Sequence, residues 1–267
     1  MKFNGINDDT IRGQRFSQTG AKFAYTDAAT ITMSGAGSDS KAVVIVKSST
    51  DTLSVVLAAD LTCALSTSGA GGLDTGSEAS DTGYYVFLIT KPFGKLPALL
   101  YSLSPTGPTM PSGYTYRSDP IWFISNDGSS NIIPFIDVNG GCFYTDPVTL
   151  GTDLFGYSAW TLVDCSPAAP DNSTMFIYGY STSKSTSTWN KIRLHTNDSD
   201  AINANYESFR FKDVIRSANG APGAPACLDF PLIDASAGLY YQWQIDPGSG
   251  GSNPPRFSLY CRGWALS

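Results

Sequence analysis

Charge is scarce in this sequence. Lys, Arg, Asp and Glu together make up 15% of the 267 residues, well below the roughly one quarter usual for soluble domains. What charge there is leans acidic, with a formal net charge of −6, and no stretch gathers lysine and arginine into a stripe. A nucleic-acid partner is therefore not expected, because phosphate binding needs clustered bases to release counterions. Glutamate is rarer still, since Glu78 and Glu207 are the only two. With helix-favouring charged residues so sparse, and no 3.6-residue apolar stripe, helices are not expected either. Long hydrophobic runs are missing too. The longest, such as Ala42 to Val46 and Tyr84 to Ile89, are strand-sized, against the ~20 apolar residues of a membrane helix. No membrane partner is expected. The opening residues, MKFNGINDDT, lack the apolar stretch of a secretion signal, so the chain is expected to be made and kept in a cytoplasm.

Histidine and paired cysteine are equally short. Cys63, Cys142, Cys165, Cys227 and Cys261 are widely spaced and odd in number, and they read as reduced, buried small hydrophobes. A zinc site would want C-x₂-C pairs, and the lone His195 cannot complete a ligand set. A hydrolase would need that same histidine beside a nucleophile, yet His195 stands in an alternating, strand-like KIRLHTN with no G-x-S-x-G elbow in the chain. Most aspartates sit in turns, where Asp serves its own backbone, and no pair is marked as a glycosidase dyad. Asn197-Asp198-Ser199-Asp200 carries closely spaced oxygen donors of the kind calcium takes, and Asn126-Asp127-Gly128 is a shorter version. Neither continues into an EF-hand loop, so turn chemistry is the expectation. The sequence assigns no catalytic residue, no metal and no cofactor.

What is abundant is β-structure. AVVIVK, TLSVVLAADL, YYVFLITK, PALLYSL, PIWFISN and NIIPFIDV are runs rich in branched and aromatic residues, each closed by Gly, Pro, Asn, Asp or Ser. Asp127-Gly128 and Asn139-Gly140 read as hairpin turns. After Asp146-Pro147 a second series follows: AWTLVDC, TMFIYGYS, TWNKIRLHT, SFRFKDVI, ACLDFPLI, GLYYQWQI and RFSLYCRGWAL. The expected fold is all-β: an antiparallel, jelly-roll-like sandwich, one large or two stacked. The divisions are an extended N-terminal arm over 1–36, a first sandwich over 37–146 and a second over 147–267. Ile6, Ile11, Phe16 and Phe23 are scattered along the arm without sustained periodicity, as in a segment laid on a partner, and are its candidate docking residues. Gly69 to Gly72 reads as a flexible turn.

Aromatic residues supply the remaining candidates. Trp122, Trp160, Trp243 and Trp264 lie within strand runs and read as core. Trp189, Tyr180, Tyr114 and Tyr116 fall where an aromatic face could stack on a sugar.

The order of several segments also carries a resemblance. GGLDTGSEASDTGYYVFLI, then KPFGKLPALLYSLSPTGPTMPSGYTYR, then IWFISNDGSSNI resembles a recurrent module of tailed-bacteriophage and prophage virion proteins, over Gly71 to Ile132. RFSLYCRGWAL more loosely resembles their closing strand. The chain departs from that pattern at Lys91-Pro92-Phe93-Gly94-Lys95, where a polar turn is usual, and at Tyr116 to Pro120. The resemblance implies a non-enzymatic structural component of a virion: a tail fibre or baseplate appendage, or a capsid decoration protein. Assembly would be with copies of itself and with other virion proteins, a trimer suiting a fibre or spike. The alternative, from another class, is a carbohydrate-binding module reading a bacterial surface glycan. A depolymerase ranks lowest, because no 20–30-residue repeat is visible.

Overall fold

Valine, isoleucine and aromatic residues at alternate positions dictate extended chain here, because branched side chains pack well on a pleated surface. The computed structural model describes residues 18–35, 42–138, 140–154, 161–171, 173–182, 190–195, 212–216, 226–230, 238–245 and 256–266. Among them the regular structure is β-strand throughout, apart from one short 3₁₀ turn at Pro92–Gly94. The chain divides into two compact units, Met1–Thr145 and Asp146–Ser267.

The first unit is a sandwich of two sheets. One layer contains β1 (Gln18–Thr19), β4 (Val43–Lys47), β5 (Thr52–Val56), β7 (Gly72–Leu73), β8 (Gly83–Lys91), β9 (Lys95–Ser102), β10 (Tyr116–Arg117) and β11 (Trp122–Ser125). Its order is β1-β4-β10-β8-β9-β7, with β5 on β4 and β11 also on β8. The long β8–β9 hairpin is its spine, pairing Tyr85 with Ser102 at one end and Lys91 with Lys95 at the other. One pairing is parallel, between β7 and β9, so the sheet is mixed rather than wholly antiparallel. The other layer runs β6 (Leu61–Ala64), β3 (Thr30–Ser34), β2 (Lys22–Asp27), β12 (Phe135–Val138) and β13 (Gly141–Leu154).

Aromatic rings join the layers. Phe23 of β2 stacks on Trp122 of β11 with ring centroids 4.7 Å apart and planes 15° off parallel, and Phe135 of β12 meets the same indole at 5.7 Å. The Tyr101 hydroxyl crosses from β9 to donate to the Cys63 carbonyl of β6 at 3.1 Å. Ser125 and Tyr144 share a hydroxyl–hydroxyl bond of 2.7 Å. The buried hydroxyls of Tyr101, Ser125 and Tyr144 thus have partners where water is excluded.

Of the extended arm expected over 1–36, residues 18–35 are described. From Gln18 onward the chain is sheet: β1 pairs with β4, β2 with β3 and β12, and β3 with β6. Phe23, Ile31 and Met33 point into the core. The segment looked aperiodic because its apolar residues are few, yet Phe23, Ile31 and Met33 fall on one face of a hairpin, and two-residue alternation needs only that. Asp146-Pro147 lies within strand β13, and the division expected at 146/147 falls one residue from that between the two units. At the β12–β13 connection Val138 pairs with Gly141 and Gly140 takes φ +83°, while Asn139 of the expected Asn139-Gly140 turn lies outside the described residues.

In the second unit, β15 (Ser173–Thr182) lies between β18 (Ala226–Phe230) and β20 (Arg256–Leu266), both antiparallel to it. A separate four-stranded sheet consists of β14 (Thr161–Asp164), β19 (Gly238–Ile245), β16 (Asn190–His195) and β17 (Lys212–Arg216), in that order. Met175, Ile177, Leu259, Cys261 and Trp264 are buried.

Candidate functional site

Two of the candidate tyrosines come together on the first unit. The turn Pro111–Tyr114, closed by a Tyr114 N–H to Pro111 carbonyl bond of 3.0 Å, delivers the chain to β10, where Tyr116 pairs with Thr90 and Arg117 with both Ile89 and Lys47. Tyr114 packs against the buried cluster of Phe87, Ile89 and Leu100. Lys91 Nζ stands 5.6 Å from its ring centroid, within reach of the ring quadrupole. The Tyr116 hydroxyl donates to Asp51 Oδ2 at 3.2 Å. Nearby, Lys47 and Asp119 form an ion pair of 2.8 Å with each side chain about half exposed; screening leaves such a pair ~0–1 kcal/mol. The result is a half-exposed aromatic and charged stripe able to stack and hydrogen-bond.

Next to it lies a feature that sequence reasoning missed. At the tip joining β8 to β9, Phe93 sits at φ +63° and Leu96 at φ +49°, both in the left-handed region. Neither side chain is rewarded by burial, for Phe93 is 85% exposed and Leu96 62%. Left-handed backbone costs a residue with a Cβ about 1–2 kcal/mol. The available signal was a bulky apolar residue in Lys-Pro-Phe-Gly-Lys, where turn chemistry asks for Gly, Asn or Asp.

The quoted GLDTG motif proves architectural. A Cβ on Gly72 would lie 2.0 Å from the Thr67 carbonyl oxygen, so only glycine fits. Asp74 Oδ2 accepts from Ser102 Oγ at 2.7 Å and from the Thr109 N–H at 2.9 Å, tying the end of β9 to the following loop. The GAGG stretch is accordingly not a slack turn: Gly69 N donates to Leu73 O at 2.7 Å and Gly71 N to Leu99 O at 2.8 Å. The Asp127 turn is also backbone service. Its Oδ1 accepts from the N–H groups of Ser129 at 2.8 Å and Asn131 at 2.9 Å. Partial burial pushes this carboxyl's pKa up, but those hydrogen bonds outweigh it and hold the group below the usual value. Among the described residues no group of three or more His, Cys, Asp or Glu side chains is placed to hold a metal.

The other sequence candidates do not join this region. Phe23 is corrected from docking residue to core residue, being 3% exposed beneath Trp122. Ile6, Ile11, Phe16 and Trp189 lie outside the described residues. Tyr180 stands on β15 opposite Ser258, and His195 on β16 opposite Tyr240; the side chains of both lie outside the described residues. Cys63, Cys142, Cys165 and Cys261 are buried as thiols. Desolvation pushes the Cys261 thiol up to about 12 and the Cys63 thiol well above its ordinary value, which leaves both protonated and poorly nucleophilic at neutral pH.

Compared with protein-family models, with curated proteins and with solved structures, this chain matches none.

Proposed function

We propose that this chain is a non-enzymatic structural subunit of a tailed-phage particle, either a tail fibre or baseplate appendage or a capsid decoration protein. It would assemble in the bacterial host cytoplasm with copies of itself and with other virion proteins. The observation carrying this reading is the ordered set of segments from Gly71 to Ile132, whose residues brace one another inside a single sandwich. Asp74 clamps β9, the YYVFLI run forms the spine strand, and Asn126 Nδ2 donates to the carbonyls of Ala79 and Ser130 at 3.2 and 3.1 Å. A body of hydrogen-bonded strands with few charges suits repeated packing against neighbours. The test is localisation: the labelled chain imaged on purified particles, with its stoichiometry. Tail or baseplate positions in multiples of three support an appendage, and a capsid lattice supports decoration. Absence of the chain from purified particles refutes the reading.

The alternative is a glycan-binding module. It draws on the half-exposed Tyr114 and Tyr116, which stand beside Lys91 and Asp51 in the stripe described above. Whole-cell binding unchanged by Tyr114→Ala, Tyr116→Ala, Tyr180→Ala and Trp189→Ala would remove its support.

A further inference from the structure

Between residues 48 and 183 the only bases are Lys91, Lys95 and Arg117. The fold gathers all three at one end of the β8–β9 hairpin. Lys91 pairs with Lys95 across the tip, and Arg117 pairs with Ile89 and with Lys47. Asp51 and Asp119 share this end, engaged with Tyr116 and Lys47 respectively. The tip itself, Phe93 flanked by Lys91 and Lys95, is an exposed apolar finger with a basic collar. It is held in a left-handed conformation that no burial among the described residues offsets.

The opposite end of the same hairpin is its chemical complement. Leu103, 63% exposed, follows the last residue of β9. Around that end stand four carboxylates. Asp74 is bonded to Ser102. Glu78 lies near enough to Tyr84 for its charge to help raise that phenol, after burial. The Asp81 N–H donates to the Asp127 carbonyl at 3.0 Å, bringing those two acids together. No described lysine or arginine is bonded to any of them. β8 is 9 residues long, so the two ends lie roughly 30 Å apart on a stiff hairpin. The finger cannot reach its own acidic end.

We infer that the Phe93 finger of one copy docks on the Leu103 acidic end of a second copy, giving a head-to-tail contact between chains. Charge complementarity selects this occupant, since one molecule carries both halves of the match. A second copy also supplies what the strained tip lacks, an apolar surface for Phe93. Such a contact is heterologous, so it generates a ring if the rotation closes and a filament if it does not. Its apolar centre is small against the ~800 Å² per partner of a standard interface. Association of free chains is therefore weak, and salt-sensitive, because its charges are exposed.

This inference rests on the assembly part of the proposed function but is tested on free protein. Sedimentation velocity at low salt, over a concentration series, is run on the full chain and four variants. Phe93→Asn removes the aromatic and tolerates the left-handed backbone, so it weakens association at least ~30-fold without lowering thermal stability. Lys91→Glu with Lys95→Glu, and separately Glu78→Lys with Asp81→Lys, each abolish self-association. Mixing these two charge-swapped chains restores it, because each finger then meets an opposite socket; the chain carrying all four swaps associates alone. Wild type that stays monomeric at ~1 mM overturns the inference. So does association that the single swaps leave intact or that mixing fails to restore. A monomeric chain that is nevertheless found on particles would refute this contact and leave the virion reading standing.

Discussion

Replacing Phe23 with alanine tests whether residues from Gln18 onward belong to the sandwich or form a detachable arm. Phe23 is 3% exposed, its ring lies 4.7 Å from Trp122, and Phe135 packs on the same indole. Truncation leaves a hole between two sheets fixed by backbone pairing on either side, so little collapse is available to fill it. Buried Phe→Ala changes cost ~3–5 kcal/mol, and loss of the stack places this site toward the upper part of that range. The Phe23 N–H bond to Asp137 Oδ2 at 2.9 Å survives the substitution, so the effect belongs to the ring. For a unit of this size the expected fall in Tm is roughly 10 °C. Trp122 is the only tryptophan before residue 146, so fluorine NMR of fluorotryptophan-labelled full-length protein follows the first unit's unfolding in urea through one resonance. The midpoint moves for Phe23→Ala and moves much less for Phe23→Leu, which refills most of the volume. A loss below ~1 kcal/mol with an unshifted Trp122 resonance would show that the ring is not core and that the arm reading was right.

Gly72→Ala should cost ~3 kcal/mol or more, because the added Cβ meets backbone at 2.0 Å and backbone cannot rotate aside. Gly76→Ala, at φ +76° with nothing within 4 Å, should cost only ~1 kcal/mol; equal losses in urea melts would refute the packing argument. Asp74→Ala removes the acceptor of the Ser102 and Thr109 bonds and should destabilise by about 2 kcal/mol, with increased amide exchange in the 103–110 loop; unchanged exchange would refute the clamp. Asp27 and Asp127 both have lowered pKa values, Asp27 chiefly through the Ala29 N–H. Their stabilisation is present above the unfolded carboxylate value, ~3.9, and is lost as pH falls through the lower folded values. Melting temperature should therefore drop below about pH 4, and less so in Asp27→Asn with Asp127→Asn; parallel curves would refute the assignment.

Strand existence was legible wherever burial on one or both faces produced runs of Val, Ile, Leu and aromatics. YYVFLITK and PALLYSL became β8 and β9, and IWFIS and FIDV became β11 and β12. The β2–β3 hairpin was not legible, because Ala, Thr and Tyr separate its three core residues and dilute the two-residue period. The parallel β7–β9 pair was hidden for a different reason. Two residues of Gly-Leu carry no propensity signal, and their pairing is set by hydrogen bonds reaching from Thr67, Leu99 and Tyr101, which are distant or unmarked in sequence.

The candidate site divides along the same line. Segments that resemble a known pattern mark places where the fold uses a residue's particular chemistry: Gly72 against the Thr67 carbonyl, Asp74 under Ser102, Asp127 closing its turn. Such residues are conspicuous in sequence because glycine and aspartate have recognisable local chemistry. A contact surface has no such signature, since any exposed side chain is locally permitted. It shows only when a side chain stands where local chemistry argues against it. Phe93 is that case, a phenylalanine paying left-handed strain in water on a tip that Asn or Gly would form more cheaply. The departure from the expected polar turn at Lys91 to Lys95 is thus the stretch where the sequence is least explained by its own fold, and the proposed head-to-tail contact would supply the missing reason.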